Sequence, residues 1–244
     1  MTRTDPLKRG GKCHPARSDR RIASAHSGEV RGSVGRARQD GPMTATTSEH
    51  SWQTHPVTPD RFEDFADVVN KNRRQTHCWC VSHRLTAAEV TELGGSGKDQ
   101  REQAMRTLCE RERPPGVVTY LDGEPVGWCN IGPRSEITRL NRSKLMLPTD
   151  DVPVWSIVCV VVRSGFRKRG VTQHLIDGAV DYAAANGAPA VEAHPVDPPG
   201  RMDLTMAFVG TKAMFERSGF EVVGTTSATA SQLPRLTMRR TLSA

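Results

Sequence analysis

Arg167, Lys168, Arg169 and Gly170 stand between an apolar run, "VPVWSIVCVVV" (residues 152–162), and a segment whose apolar positions are Leu175, Ile176, Ala179, Val180 and Ala183. Three basic side chains and a glycine at such a junction suit the binding of phosphate. The apolar run is short, continuous and rich in β-branched residues, which predicts a strand covered on both faces. The spacing after Thr172 is one face of a helix. A helix begins with unpaired N–H groups and a partial positive charge, so its first turn holds anions. Gly170, lacking a Cβ, lets the backbone approach a ligand closely. Strand, basic turn and helix together read as a pyrophosphate-binding loop; an exposed basic loop is the plain alternative.

Two further groups of residues could do chemistry. "APAVEAHPVD" (residues 188–197) holds Glu192, His194 and Asp197, and alternation along a strand sets Glu192 and His194 on one face. A carboxylate and an imidazole are common proton carriers, although packing alone also explains a histidine there. "THCWCVSHR" (residues 76–84) offers His77, Cys78, Cys80 and His83 as zinc ligands. Their spacing departs from the usual zinc frame, so no metal is expected.

The elements that must position these residues follow from pattern and punctuation. Thr58-Pro59 opens a helix whose apolar face is Phe62, Phe65, Ala66, Val68 and Val69. Thr86 and Glu89 form a capping box for a second helix. A third carries Met105, Leu108 and Cys109 and stops before Pro114-Pro115. "GVVTYL" and "PVGWCNI" flank Asp122-Gly123, a strong hairpin signal. Residues 135–152 read as a long polar loop. "GTKAMFERSGFEVVG" (residues 210–224) reads as a helix ended by Gly219 and followed by a strand.

A phosphate loop of this kind invites two comparisons. In the nucleotide-hydrolase pattern G-x-x-x-x-G-K-[ST], Gly165, Gly170 and Thr172 fit, but Val171 stands where the lysine must reach the phosphates. The segment instead resembles the GNAT acetyltransferase superfamily, whose signature is [RQ]-x-x-G-x-[GA]; here it is Arg167-Lys168-Arg169-Gly170-Val171-Thr172, with Thr as the final small residue. The hairpin at 114–134, the strand at 188–197 and the helix–strand pair at 210–224 keep the superfamily's order over roughly residues 58–242. The chain is most similar to a bacterial subgroup with a "CWC" motif, here Cys78-Trp79-Cys80, and a "PPG…GEPVGW" hairpin.

That resemblance implies an α/β, three-layer fold: a central mixed, twisted sheet with helices on both faces. It implies acetyl-CoA as co-substrate and an amine of a small molecule or protein as acceptor. Val160, Val161 and Val162 would lie along the pantetheine arm, and Arg167, Lys168, Arg169, Gly170, Val171 and Thr172 around the pyrophosphate. Trp79, Arg84, Trp128, Arg134 and Trp155 would border the acceptor. The Glu that many members carry on the fourth strand corresponds to Ser156, and the Tyr of the last helix to Phe215. Glu192 and His194 are therefore the catalytic candidates. With both usual groups missing, a non-catalytic acyl-CoA-binding module is the alternative.

Composition limits the partners. The chain has 244 residues and a net charge of +7. Residues 1–42 hold ten of the 34 Lys and Arg but four of the 27 Asp and Glu, leaving 24 against 23 for the rest. The basicity thus belongs to a tail, so nucleic acid is not expected as a partner except through that arm. The tail has few large apolar residues, which predicts disorder over residues 1–45 and a folded domain over 46–244; Met43 reads as a plausible true start. Six cysteines at positions 13, 78, 80, 109, 129 and 159 do not make a disulfide framework. No membrane span is expected, the cytosol is the expected compartment, and the oligomeric state, monomer or homodimer, is left open.

Overall fold

Alternating apolar runs separated by glycine and proline turns predict a sheet flanked by helices, and the computed structural model, which describes residues 50–200 and 207–242, contains one. The expectations for the tail lie outside the described residues. Seven strands form a mixed, open sheet: β1 (Trp52–Pro56), β2 (Gly116–Leu121), β3 (Glu124–Pro133), β4 (Trp155–Val162), β5 (Ala190–Ala193), β6 (Glu221–Ala230) and β7 (Leu233–Thr241). Their order is β1-β2-β3-β4-β5-β7-β6. β4 and β5 pair in parallel, and the other neighbours pair antiparallel.

Helices cover both faces. The long helix, Val171–Ala185, packs Leu175, Ile176, Ala179, Val180 and Ala183 on Cys129, Ile131, Trp155, Ile157, Val191 and Met238. The opposite face is covered by the helices Phe62–Val69, Ala87–Gly94 and Gln100–Cys109. There Phe62, Phe65, Trp79, Met105, Leu108 and Trp128 form a second core. In chain order these helices are α1 (62–69), α2 (87–94), α3 (100–109), α4 (Thr138–Asn141), α5 (171–185) and α6 (Lys212–Glu216). Burying each large apolar side chain contributes roughly 1.5–3 kcal/mol.

Local signals and structure agree at several points. The capping box is formed, with Glu89 N–H donating to Thr86 Oγ1 and Thr86 N–H to Glu89 Oε2. Asp122 and Gly123 make the hairpin turn, both at positive φ. The structure also differs from expectation. Residues 135–152 are not all loop: a 3-10 turn, Arg134–Glu136, and α4 interrupt them, because Ile137 and Leu140 are apolar enough to pack on Val158. Thr58 does not cap a helix; its hydroxyl accepts from Arg61 Nη1, and a 3-10 turn at Pro59–Arg61 precedes α1. β1 and β7 were not anticipated. β1 is short, mostly polar and ends in proline, while β7 follows a Ser231-Gln232 turn at positive φ without the usual Gly or Asn.

Candidate active site

β4 and β5 share ladder positions from Trp155–Val191 to Ile157–Ala193. Beyond them the strands part. The chain after Ala193 runs to Pro195 and Val196, whose backbone groups pair instead with Leu236, Gly210 and Lys212. Among the described residues, the β5-side edge of Val158–Val162 therefore has no strand partner. Unpaired strand edges bind extended ligands through their main-chain groups.

The split coincides with an irregularity on the other edge. Ile157 pairs with Ile131 and Cys159 with Asn130, so Val158 is the extra residue of a β-bulge. Strict alternation would set Cys159 opposite Ser156 and Val160 beside it. The bulge reverses this. Val160 packs with the α5-side core, whereas Cys159 and Val161 join the α1-side core, the face to which Ser156 also points.

At its C-terminal end β4 feeds the basic turn. Gly165, Lys168 and Gly170 take φ of +92°, +65° and +81°. Gly170 needs that freedom, since a side chain at such φ is strained. A Cβ added there would meet nothing within 4 Å, so the space beside Gly170 is open. Among the described residues no side chain caps α5, whose N-cap is Gly170. Arg167, Lys168 and Arg169 are exposed, Thr172 is half-buried, and Val171 is fixed in a small core with Leu121 and Val126. Arg169 lies over the Phe166 ring at 5.4 Å. An uncapped helix start ringed by cations fits a pyrophosphate.

On the α1-side face a row of polar groups crosses the sheet at the split. Ser156 pairs with Glu192, and Glu192 with Arg239. Arg239 donates to Glu192 Oε1 from Nε at 3.0 Å and from Nη2 at 2.6 Å. It also reaches Asp150 with Nη1 at 2.6 Å and Nη2 at 2.9 Å. These carboxylates raise the Arg239 pKa against its partial burial. Ser156 Oγ is buried with no hydrogen-bond partner among the described residues.

His194 continues the same face and is 2% exposed. Burial first, then the charges of Arg235 and Arg134, push its pKa down to about 3. It is therefore neutral at physiological pH, and its Nε2 has no partner among the described residues. Arg134, 7% exposed, donates from Nη2 to Met146 O, while its Nε and Nη1 have no partner among the described residues. Burial lowers its pKa, and Glu192 opposes that shift.

The remaining sequence candidates are placed differently. Trp79 and Trp128 are fully buried in the α1-side core, stacked against Phe62 and edge-on to Phe65. Trp155 lies on the α5 face, edge-on to Tyr182. Arg84 donates from Nη1 to Pro115 O, Asn130 Oδ1 and Ile131 O at 3.2, 2.9 and 3.2 Å. Asn130 in turn donates to Cys80 O, so Arg84 and Asn130 tie the 78–85 segment to the sheet. Gly132 makes room for this guanidinium, because a Cβ there would stand 2.4 Å from Nη2. Cys78, Cys80, His77 and His83 form no metal-ligating group among the described residues. Phe215 is fully buried.

Arg235, Arg239 and Asp150 were missed in the sequence. Arg235, Thr237 and Arg239 alternate onto one face of β7, which was legible only once that strand was known. A groove of about 500 Å³ between β1 and α5, lined in part by Trp52, His174 and Asp181, lies three strands from the split and contains none of these groups.

Comparison with known proteins gives a family match over part of the chain. Residues 82–201 match the model of the acetyltransferase (GNAT) family. No curated protein matches the chain. Among solved structures the chain is similar to an aminoglycoside acetyltransferase AAC(6')-Ib in complex with coenzyme A, at 16% identity, covering 78% of this chain and 95% of that one, with a TM-score of 0.46. It is also similar to an N-acetyltransferase from Staphylococcus aureus Mu50, at 12% identity, covering 79% and 99%, with a TM-score of 0.46. The chain carries a GNAT-family acetyltransferase domain, matched over residues 82–201.

Proposed function

We propose that the protein transfers the acetyl group of acetyl-CoA to a primary amine. The observation that carries this reading is the free edge of β4, which starts at the Val158 bulge and runs into the open, uncapped turn at Gly170. An extended pantetheine arm can pair with the main chain of Val160, Val161 and Val162. The pyrophosphate then meets Arg167, Lys168, Arg169 and the first N–H groups of α5, at Val171 and Thr172.

Transfer requires a neutral amine, a polarised thioester and a proton for the departing thiolate. We assign proton acceptance to Glu192, which lies across the ladder from Ser156. The amine forms its C–N bond as it yields a proton to this carboxylate. The C–S electron pair leaves with the thiolate, which takes up a proton in turn. His194 has too low a pKa to serve as that acceptor and acts as a neutral hydrogen-bonding group. Phe215 offers no proton, so orientation of the reactants must carry more of the rate. Trp79, Trp128, Trp155 and Arg84 support the walls from the core.

Calorimetric titration with CoA and with pantetheine tests the binding mode. CoA should bind at least about tenfold more tightly, because pantetheine lacks the phosphates. Equal affinities would remove the role of the turn. CoA binding without acetylation of any amine would favour a non-catalytic acyl-CoA-binding module.

A further inference from the structure

The polar face beside the split holds more positive than negative charge. Arg134 and Arg235 are both largely buried, and neither forms an ion pair among the described residues. Arg235 Nε donates to His194 O at 2.7 Å, and burial pushes its pKa down to about 10. The acid facing the cluster, Glu192, is already held by Arg239. His83, stacked on Phe208 at 4.4 Å, has its pKa lowered by burial and by Arg139 and Arg235. A guanidinium held out of water with unpaired N–H groups is costly unless an anion completes it.

We propose that the acceptor is an amine that also bears a carboxylate, and that Arg134 is the residue that reads it. This rests on the acetyl-transfer reading and deepens it. Among the described residues, three buried groups have no hydrogen-bond partner on this face: Nε and Nη1 of Arg134, Oγ of Ser156 and Nε2 of His194. Arg134 and His194 are close enough for the charge of one to depress the pKa of the other. Nη1 of Arg134, beside the second N–H of Nη2, presents the end-on pair of donors that the two oxygens of a carboxylate accept. Ser156 and Glu192 then face the amine end of the same molecule. A polycationic amino sugar would meet like charge at Arg134 and Arg235 and is disfavoured.

The test uses the full chain and a panel of free amino acids, each paired with its C-terminal amide. Free-thiol release from acetyl-CoA is followed for every member. For at least one pair the acid should exceed its amide in kcat/KM by at least about tenfold, as in sites built around a substrate polar group. Arg134→Gln should erase that preference while CoA affinity, read by calorimetry, stays unchanged. Amides accepted as well as acids by the wild-type protein would overturn the proposal and leave acetyl transfer standing. Should no amine turn over, thermal shift with the same panel decides. Stabilisation by acids over amides, lost in Arg134→Gln, supports the carboxylate site although acetyl transfer fails. No difference between acids and amides rejects it.

Discussion

Ser156 and Glu192 are direct partners across the parallel ladder of β4 and β5, one register position before the strands part, and both are buried. Under the proposed function, the Glu192 carboxylate beside Ser156 is the proton acceptor. Its position is over-determined, since Arg239 grips one oxygen with two N–H groups.

Glu192→Gln should therefore lower kcat about 10²- to 10⁴-fold, the range expected for loss of a positioned proton acceptor. CoA affinity should stay within error, because the turn proposed to hold the pyrophosphate lies at the other end of β4. Steady-state kinetics with calorimetry checks both halves. An unchanged kcat removes Glu192 from the reaction.

Gly170→Asp should weaken CoA binding at least about tenfold. It introduces a side chain at a φ of +81° and a negative charge where the proposed binding mode sets the phosphates. Gly170→Asn, which tolerates positive φ and adds no charge, should lose less. Similar losses in the two variants would assign the effect to backbone strain alone.

His194 predicts a pH signature in stability. Its folded pKa of about 3 lies below the unfolded value near 6.5. The unfolded chain therefore binds a proton that the folded one excludes. The stabilising contribution is fully present above pH ~6.5 and is lost progressively as pH falls toward ~3, by up to a few kcal/mol. Urea unfolding from pH 7 to 4 should show a smaller pH slope for His194→Asn than for wild type. Equal slopes would mean that His194 titrates normally.

The cysteines should not carry the acetyl group. Cys80 and Cys159 are buried with Sγ atoms 3.8 Å apart, and that contact raises the Cys80 pKa well above its ordinary value. Burial raises Cys129 and pushes Cys109 up to about 12, while Cys78 is pushed up to about 12 chiefly by its contact with Cys80. Thiols in such settings are poor nucleophiles. Double-reciprocal plots should intersect, and alanine at each cysteine should keep turnover within about tenfold, under ~1.4 kcal/mol on the barrier. Parallel lines with an acetylated cysteine peptide would argue for a covalent intermediate.

How far the sequence reached depends on the kind of signal. The β4–turn–α5 unit was legible because its apolar runs, Gly170 and three basic residues are local. The face shared by Glu192 and His194 followed from alternation. The bulge at Val158 was not legible, because no glycine or proline marks it, and it reversed the side assigned to Cys159. Arg239 and Arg235 stayed hidden because β7 follows the unusual Ser231-Gln232 turn. Trp79, Trp128 and Trp155 are set beside the acceptor by the resemblance alone; no local pattern gives their place in the core.

The most direct test of acetyl transfer is free-thiol release from acetyl-CoA by the full chain, with and without a panel of primary amines, and mass spectrometry of each amine afterwards. Release that depends on an amine, together with a gain of one acetyl group on that amine and none on the protein, is the predicted result. Release that ignores every amine, or none at all while CoA still binds, would contradict it.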